Sequence, residues 1–150
     1  MSIVNLEKIE HKIIGRMFRT VRIADKMIAA EVTKQGLTKP QFDILLILKY
    51  SQLDSVTTTQ LADELLVSKA NITGIVTRLE KARLLTKVTD ENDTRSKKIT
   101  LTPAGEELIS QIIPRYFEMT VEAFSNFTQD EKNKLFEQLV FIEEFYNSQR

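Results

Sequence analysis

Apolar residues in the first part of the chain recur at helical steps. Leu6, Ile9, Ile13, Met17, Val21, Ala24 and Ile28 fall three or four positions apart, a spacing that stacks side chains on one face. Ile14, Phe18 and Ile23 lie off that line, so the apolar face of a helix over 5–34 is wider than a one-sided surface helix requires. Gly36 supplies its C-terminal stop. Thr38-Lys39-Pro40-Gln41 then has capping-box spacing and opens a second helix through FDILLILKY, apolar nearly all round and therefore buried. The polar stretch SQLDSVT, 51–57, reads as a loop.

Thr57-Thr58-Thr59-Gln60 repeats the capping device ahead of LADELL, and Ser68 caps KANITGIVTRLEKARLL. In the latter, Ile72, Val76 and Leu79 form one apolar stripe. Two short helices about three residues apart predict a helix-turn-helix. After Leu84 the period becomes alternating: one strand ends at Val88, and Ile99 and Leu101 alternate with Lys98 and Thr100 in the next. With DEND between them this is a hairpin. Thr102-Pro103 caps and begins another helix, with Glu106 and Glu107 in its first turn, where carboxylates suit the helix dipole. Pro114 should kink or locally break it, and Thr128-Gln129-Asp130-Glu131 starts a last helix bearing Leu135, Leu139, Ile142 and Phe145. The order is helix, helix, helix-turn-helix, hairpin, two long helices: a mainly α chain with a small β-hairpin.

Composition narrows the chemistry. The 150 residues hold no cysteine and one histidine, His11, which excludes thiol catalysis and disulfides and argues against a histidine-based metal centre. No glycine-rich phosphate loop, HExxH or GxSxG is present, and Glu106 and Glu107 point to different sides of their helix, so an enzyme is not expected. Nor is a cofactor. No run reaches the ~20 apolar residues of a membrane span, and no N-terminal stretch has the form of a cleaved leader, so the expected location is the cytoplasm.

The net charge is zero, but its distribution is uneven. Residues 68–98 carry eight basic side chains against four acidic, whereas 103–150 carry four against nine. A basic middle suits a footprint on a polyanion. With the stripe of the 68–82 helix facing a core, the opposite face presents Lys69, Ala70, Asn71, Thr73, Gly74, Thr77 and Arg78. A helix entering the major groove needs such short side chains, with amide and guanidinium groups for base edges. An ordinary surface helix would carry more Glu and Lys, because Thr, Asn and Gly are poor helix formers.

At the hairpin tip, Asp93 and Arg95 on extended backbone project to the same side, so the carboxylate can brace the guanidinium for a narrow minor groove. Lys97 and Lys98 are candidates for phosphate contacts, and Thr57, Thr58, Gln60 and Ser68 at the two helix starts complete the candidate DNA-binding set.

Together, LTKPQFDILLIL (37–48), TTTQLADELLVSKANITGIVTRLEKARLL (57–85) and DENDTRSKKITLTPAGEEL (90–108) give a chain that resembles the MarR-type winged helix-turn-helix regulators. The resemblance implies a DNA-binding region over 36–102 and helical dimerisation segments, 1–35 and 103–150, interleaved in a homodimer. It implies a repressor on a pseudo-palindromic operator, with the helix from Ser68 in the major groove and Arg95 in the minor groove. It also suggests a pocket for a small aromatic anion. His11, Arg16 and Arg19 are the cationic candidates there, against the plainer reading that the two arginines form surface ion pairs.

Three positions depart from the family pattern: Thr94 replaces a usual arginine, Arg83 a usual glycine, and Leu66 a small or polar residue. The last two call for left-handed or strained backbone at non-glycine residues, or for a differently ended helix. A winged helix that meets a protein partner and not DNA is the alternative from another class.

Overall fold

Four helix starts form where the side chains call for them. The computed structural model describes residues 7–89 and 97–149. Helix α1 spans Ile9–Thr33 and α2 spans Lys39–Tyr50. Thr38 Oγ1 accepts the Gln41 N–H at 3.4 Å and Gln41 Oε1 accepts the Thr38 N–H at 2.9 Å, the reciprocal capping box. Gly36, at φ +76°, carries the chain from α1 to α2 in the left-handed conformation a glycine adopts without strain. Strand β1 is Val56–Thr57, α3 is Thr58–Leu65 and α4 is Lys69–Lys81. Strands β2, Leu85–Thr89, and β3, Lys97–Leu101, follow, and then α5, Pro103–Ala123, and α6, Gln129–Asn147.

The sheet is antiparallel in the order β1-β3-β2. The expected loop over 51–57 is corrected at its end: Val56 pairs with Ile99 and Thr57 with Lys98, so Val56 is strand and lies in the core. A two-residue strand has no period of its own, and only its partner β3 defines it. Pro114 does not break α5, which runs helical from Pro103 to Ala123. Proline removes one backbone donor, and the other bonds of the helix carry it through.

Two compact units divide the chain, Met1–Ile112 and Ile113–Arg150. In the first, Phe42, Ile44 and Leu45 of α2, Leu61 of α3, Leu79, Ile72, Ile75 and Val76 of α4, and Leu85 and Ile99 of the sheet are buried. Ile75 joins the expected stripe because it lies one turn before Leu79. Each such side chain contributes about 1.5–3 kcal/mol by leaving water, so this cluster supplies the main support of the helix-turn-helix. Val32, Leu37, Ile109 and Ile112 are also buried. On α2, Asp43 receives Lys39 Nζ at 2.7 and 2.8 Å, yet its carboxyl is held above the usual carboxylate range, chiefly by burial, with the lysine opposing.

The second unit is different in kind. A capping box of Thr128 and Glu131 starts α6, but no residue of α6 is buried. Phe136, Phe141, Phe145 and Tyr146 are all exposed. On α1, in the first unit, Ile9, Phe18, Val21 and Met27 are exposed as well.

Candidate nucleic-acid interface

The turn between α3 and α4 decides how the two helices cross. Leu66 closes α3 at φ 53°, ψ 39°, a left-handed residue whose N–H returns to the Asp63 carbonyl at 3.3 Å. A leucine there carries a steric cost of about 1–2 kcal/mol that glycine would not. Ser68 Oγ then accepts the Asn71 N–H at 3.3 Å and starts α4. At the other end, Arg83 is left-handed too, at φ 60°, while the Leu84 N–H reaches back to the Leu79 carbonyl at 3.0 Å. The Arg83 carbonyl accepts from Thr102 Oγ1 at 2.6 Å, which ties the end of α4 to the start of α5. Both departures from the family pattern therefore fall where the backbone is left-handed.

With Ile72, Ile75, Val76 and Leu79 buried, α4 exposes Lys69, Ala70, Asn71, Thr73 and Arg78 and leaves Gly74 and Thr77 half-buried. Five of the seven residues expected on this face are exposed, and there is one chemical difference. Thr73 Oγ1 donates to the Lys69 carbonyl and Thr77 Oγ1 to the Thr73 carbonyl, each at 2.8 Å. Those hydroxyl protons are used within the helix, so outward the two threonines present methyl groups and acceptor lone pairs. Such methyls suit thymine methyls in a major groove.

Thr57 and Gln60 cap each other: the Gln60 N–H donates to Thr57 Oγ1 at 3.2 Å and the Thr57 N–H to Gln60 Oε1 at 2.8 Å. Thr58 is half-buried. Strand register separates the hairpin lysines. Thr89 pairs with Lys97 and Lys87 with Ile99, whereas Val88 pairs with Lys98, so Lys87 and Lys97 share the face of buried Ile99 and Lys98 takes the other. Lys97 Nζ donates to Thr89 Oγ1 at 2.6 Å. Lys87 was not apparent as a site residue in the sequence; its Nζ lies 2.7 Å from Glu80 Oε2 of α4.

A cleft of about 310 Å³ opens between these parts, lined by Thr57, Thr58, Thr59, Lys69, Thr73, Val76, Lys87 and Lys97. Asp93, Arg95 and Thr94 lie outside the described residues. His11, Arg16 and Arg19 are exposed along α1 and are not part of this cleft.

Two short helices joined by a tight turn, a three-stranded sheet with its hairpin, and a polar outward face on the second helix define a winged helix-turn-helix fold. Residues 35–96 match the family model described as MarR family. Over that segment the chain is similar to the MarR family, and the relatives it matches are HTH-type transcriptional regulators. It is 28% identical over 124 residues to the HTH-type transcriptional regulator PecS of Dickeya dadantii, covering 82% of this chain and 75% of PecS. Its fold is similar to that of AbsC, a MarR family transcriptional regulator from Streptomyces coelicolor, with TM-score 0.82, 22% identity and coverage of 97% and 99%. It is also similar to a MarR family regulator from Listeria monocytogenes solved with a 26mer DNA, with TM-score 0.80, 24% identity and coverage of 93% and 89%. Among the described residues, no helix is long and apolar enough to cross a membrane.

Proposed function

We propose that the chain acts as a cytoplasmic homodimeric repressor on a pseudo-palindromic operator, with α4 in the major groove and Arg95, braced by Asp93, in the adjacent minor groove. The supporting observation is α4 itself. Its apolar edge is buried among α2, α3 and the sheet, and its other edge holds Lys69, Asn71, Thr73 and Arg78 outward beside the hairpin. Asn71 and Arg78 supply base-edge donors, Lys98 and Lys97 phosphate contacts, and Gln60 and Ser68 flank the helix starts. That a MarR family regulator of similar fold was solved with a 26mer DNA supports DNA as the partner.

Selection of bound duplexes from a random pool tests this reading. The expected product is an inverted repeat with half-sites about one helical turn apart, ~10 bp. A pool with no enrichment and no duplex bound at low salt would leave the protein-interaction module in its place, since phosphate-based binding must strengthen log-linearly as salt falls.

A small aromatic anion that favours dimers with wrongly spaced α4 helices would release the operator by differential affinity alone. His11, Arg16 and Arg19, exposed on α1, are the candidates for its carboxylate. Calorimetry with salicylate-like acids tests this: neither heat nor loss of operator binding would remove it.

A further inference from the structure

Helix α1 carries its positive charge on one side. At about 100° per residue, Lys12, Arg16, Arg19, Arg22 and Lys26 fall within an arc of about 120°, along about 21 Å of helix axis. All five are exposed. Between Lys12 and Lys26 that arc holds no carboxylate, only Gly15 and Ile23 besides. The acidic residues of α1 lie elsewhere on its circumference: Glu10 on the far side, Asp25 at 3.5 Å from Lys39 of α2, and Glu31 at 2.7 Å from Lys34. Among the described residues, none of the five cations has an ion-pair partner.

A helix face that meets only water gains from mixed signs. Here Lys12 and Arg16 are four apart, as are Arg22 and Lys26, while Arg16, Arg19 and Arg22 follow at steps of three. Each neighbouring pair repels, which a counter-charge running along the row would relieve. Three of the five are arginines, whose planar fork takes two phosphate oxygens at once.

The layout of the helix restricts the partner. Ile13, Met17, Val21 and Ile28 run along the side opposite the cations. A helix lying on anionic lipid buries its apolar side, which here would turn the row away from the headgroups. A duplex presents one negative charge per about 1.7 Å of axis, so its backbone supplies counter-charge along the whole row.

We infer that this row on α1 is a second duplex-binding surface, which holds a further stretch of DNA by its phosphates while α4 reads an operator. It rests on the DNA-binding role proposed above. The stretch has two sources, the flank of the operator duplex or a separate duplex.

Lys12, Arg22 and Lys26 serve none of the roles proposed above, so Lys12→Gln/Arg22→Gln/Lys26→Gln removes charge from the row alone, and Lys12→Arg/Arg22→Lys/Lys26→Arg keeps it. Binding of the full chain is measured against salt on a short duplex ending at the operator and on a long one extended on both sides. On the long duplex the slope of log K against log salt should be lower by about 3 in the glutamine variant and unchanged in the charge-keeping one. The short duplex should bind alike in all three, which also reports that the variants fold.

The length-dependent slope assigns the flank. Energy transfer between donor- and acceptor-labelled short duplexes, present in wild type and lost in the glutamine variant, assigns a separate duplex. Equal slopes on the long duplex with no energy transfer overturn the surface and leave the regulator reading standing. Capture of wild type but not of the glutamine variant by phosphatidylserine vesicles, alongside equal slopes, would give the row to lipid instead. Loss of the short duplex in the glutamine variant alone would make the row part of the operator contact and overturn its separateness. A wild type that binds neither duplex removes the regulator reading, and the second surface with it.

Discussion

A β-carbon at Gly105 would lie 1.9 Å from the Leu84 carbonyl oxygen. That oxygen also accepts the Thr102 N–H at 3.1 Å, and the Gly105 N–H donates to Thr102 Oγ1 at 3.0 Å, so the first turn of α5 is pressed against the exit of α4. The obstacle is backbone and cannot swing aside as a side chain could. Gly105→Ala should therefore cost at least the upper part of the about 1–3 kcal/mol typical of overpacking. Denaturant unfolding checks this. A variant as stable as wild type would show that the junction yields without cost.

The left-handed residues give the opposite sign. Leu66 is 72% exposed, so truncating it loses little packing, while glycine relieves the backbone. Set against the extra freedom glycine gives the unfolded chain, Leu66→Gly should stabilise by about 0.5–1 kcal/mol. Leu66→Ala keeps the β-carbon and should gain nothing. Equal stabilities for the two variants would place the strain elsewhere.

Two carboxyl groups should move stability in opposite directions with pH. Burial raises Asp43 in the folded state, so its contribution is fully present below the ordinary aspartate range and is lost as pH rises through the raised value. Glu131 is lowered by the N–H and hydroxyl of Thr128, at 2.8 and 2.9 Å, so its contribution is present above the ordinary glutamate range and lost as pH falls through the lowered value. Carboxyl-carbon titration should find Asp43 above and Glu131 below their usual ranges. Asp43→Asn should flatten the decline in stability over the window just above the ordinary aspartate range. An unchanged profile would show that Lys39 outweighs burial.

Legibility from sequence follows how local each cause is. Thr38/Gln41, Thr57/Gln60, Thr128/Glu131 and Ser68 act within four residues, and each starts a helix where its spacing predicts. Leu66 and Arg83 were legible in part: their departures left open a left-handed backbone, a strained one or a differently ended helix, and the structure shows the first. Strand β1 was not, because Val56 is strand only through Ile99, forty-three positions on. The cleft lysines were partly hidden too. Lys97 and Lys98 look equivalent in sequence, and only pairing with β2 puts Lys97 with Lys87 on the face of Ile99. The hydroxyl donors of Thr73 and Thr77 looked available for bases, yet helix geometry turns both to carbonyls four residues back.

That last detail separates the roles on α4. Asn71→Ala and Arg78→Ala should each change preference at one base position, by about 1–3 kcal/mol for a bidentate contact. Thr73→Val keeps the outward methyl and removes only a hydroxyl already committed to Lys69, so operator preference should hardly move. Binding measured across single-base operator variants distinguishes these. A loss spread evenly over all sequences for Asn71→Ala or Arg78→Ala would make them backbone contacts.

The aromatic surface of α6 bears on assembly. Phe136 is 68% exposed and Phe141 72%, and no residue of α6 is buried. An aqueous chain does not hold so much aromatic surface on one helix without a cover, and a second copy brings the same surface by symmetry. Covering each phenylalanine contributes about 1.5–3 kcal/mol, so Phe136→Glu/Phe141→Glu should weaken dimers by at least about a hundredfold. Sedimentation equilibrium reads this directly, and circular dichroism should report unchanged helix, because neither ring is buried within its own chain. Operator affinity should fall with the dimer, since two tethered half-site contacts become independent ones. A wild-type chain that sediments as a monomer at micromolar concentration, or a double variant that dimerises as before, would assign the exposed rings to some other cover.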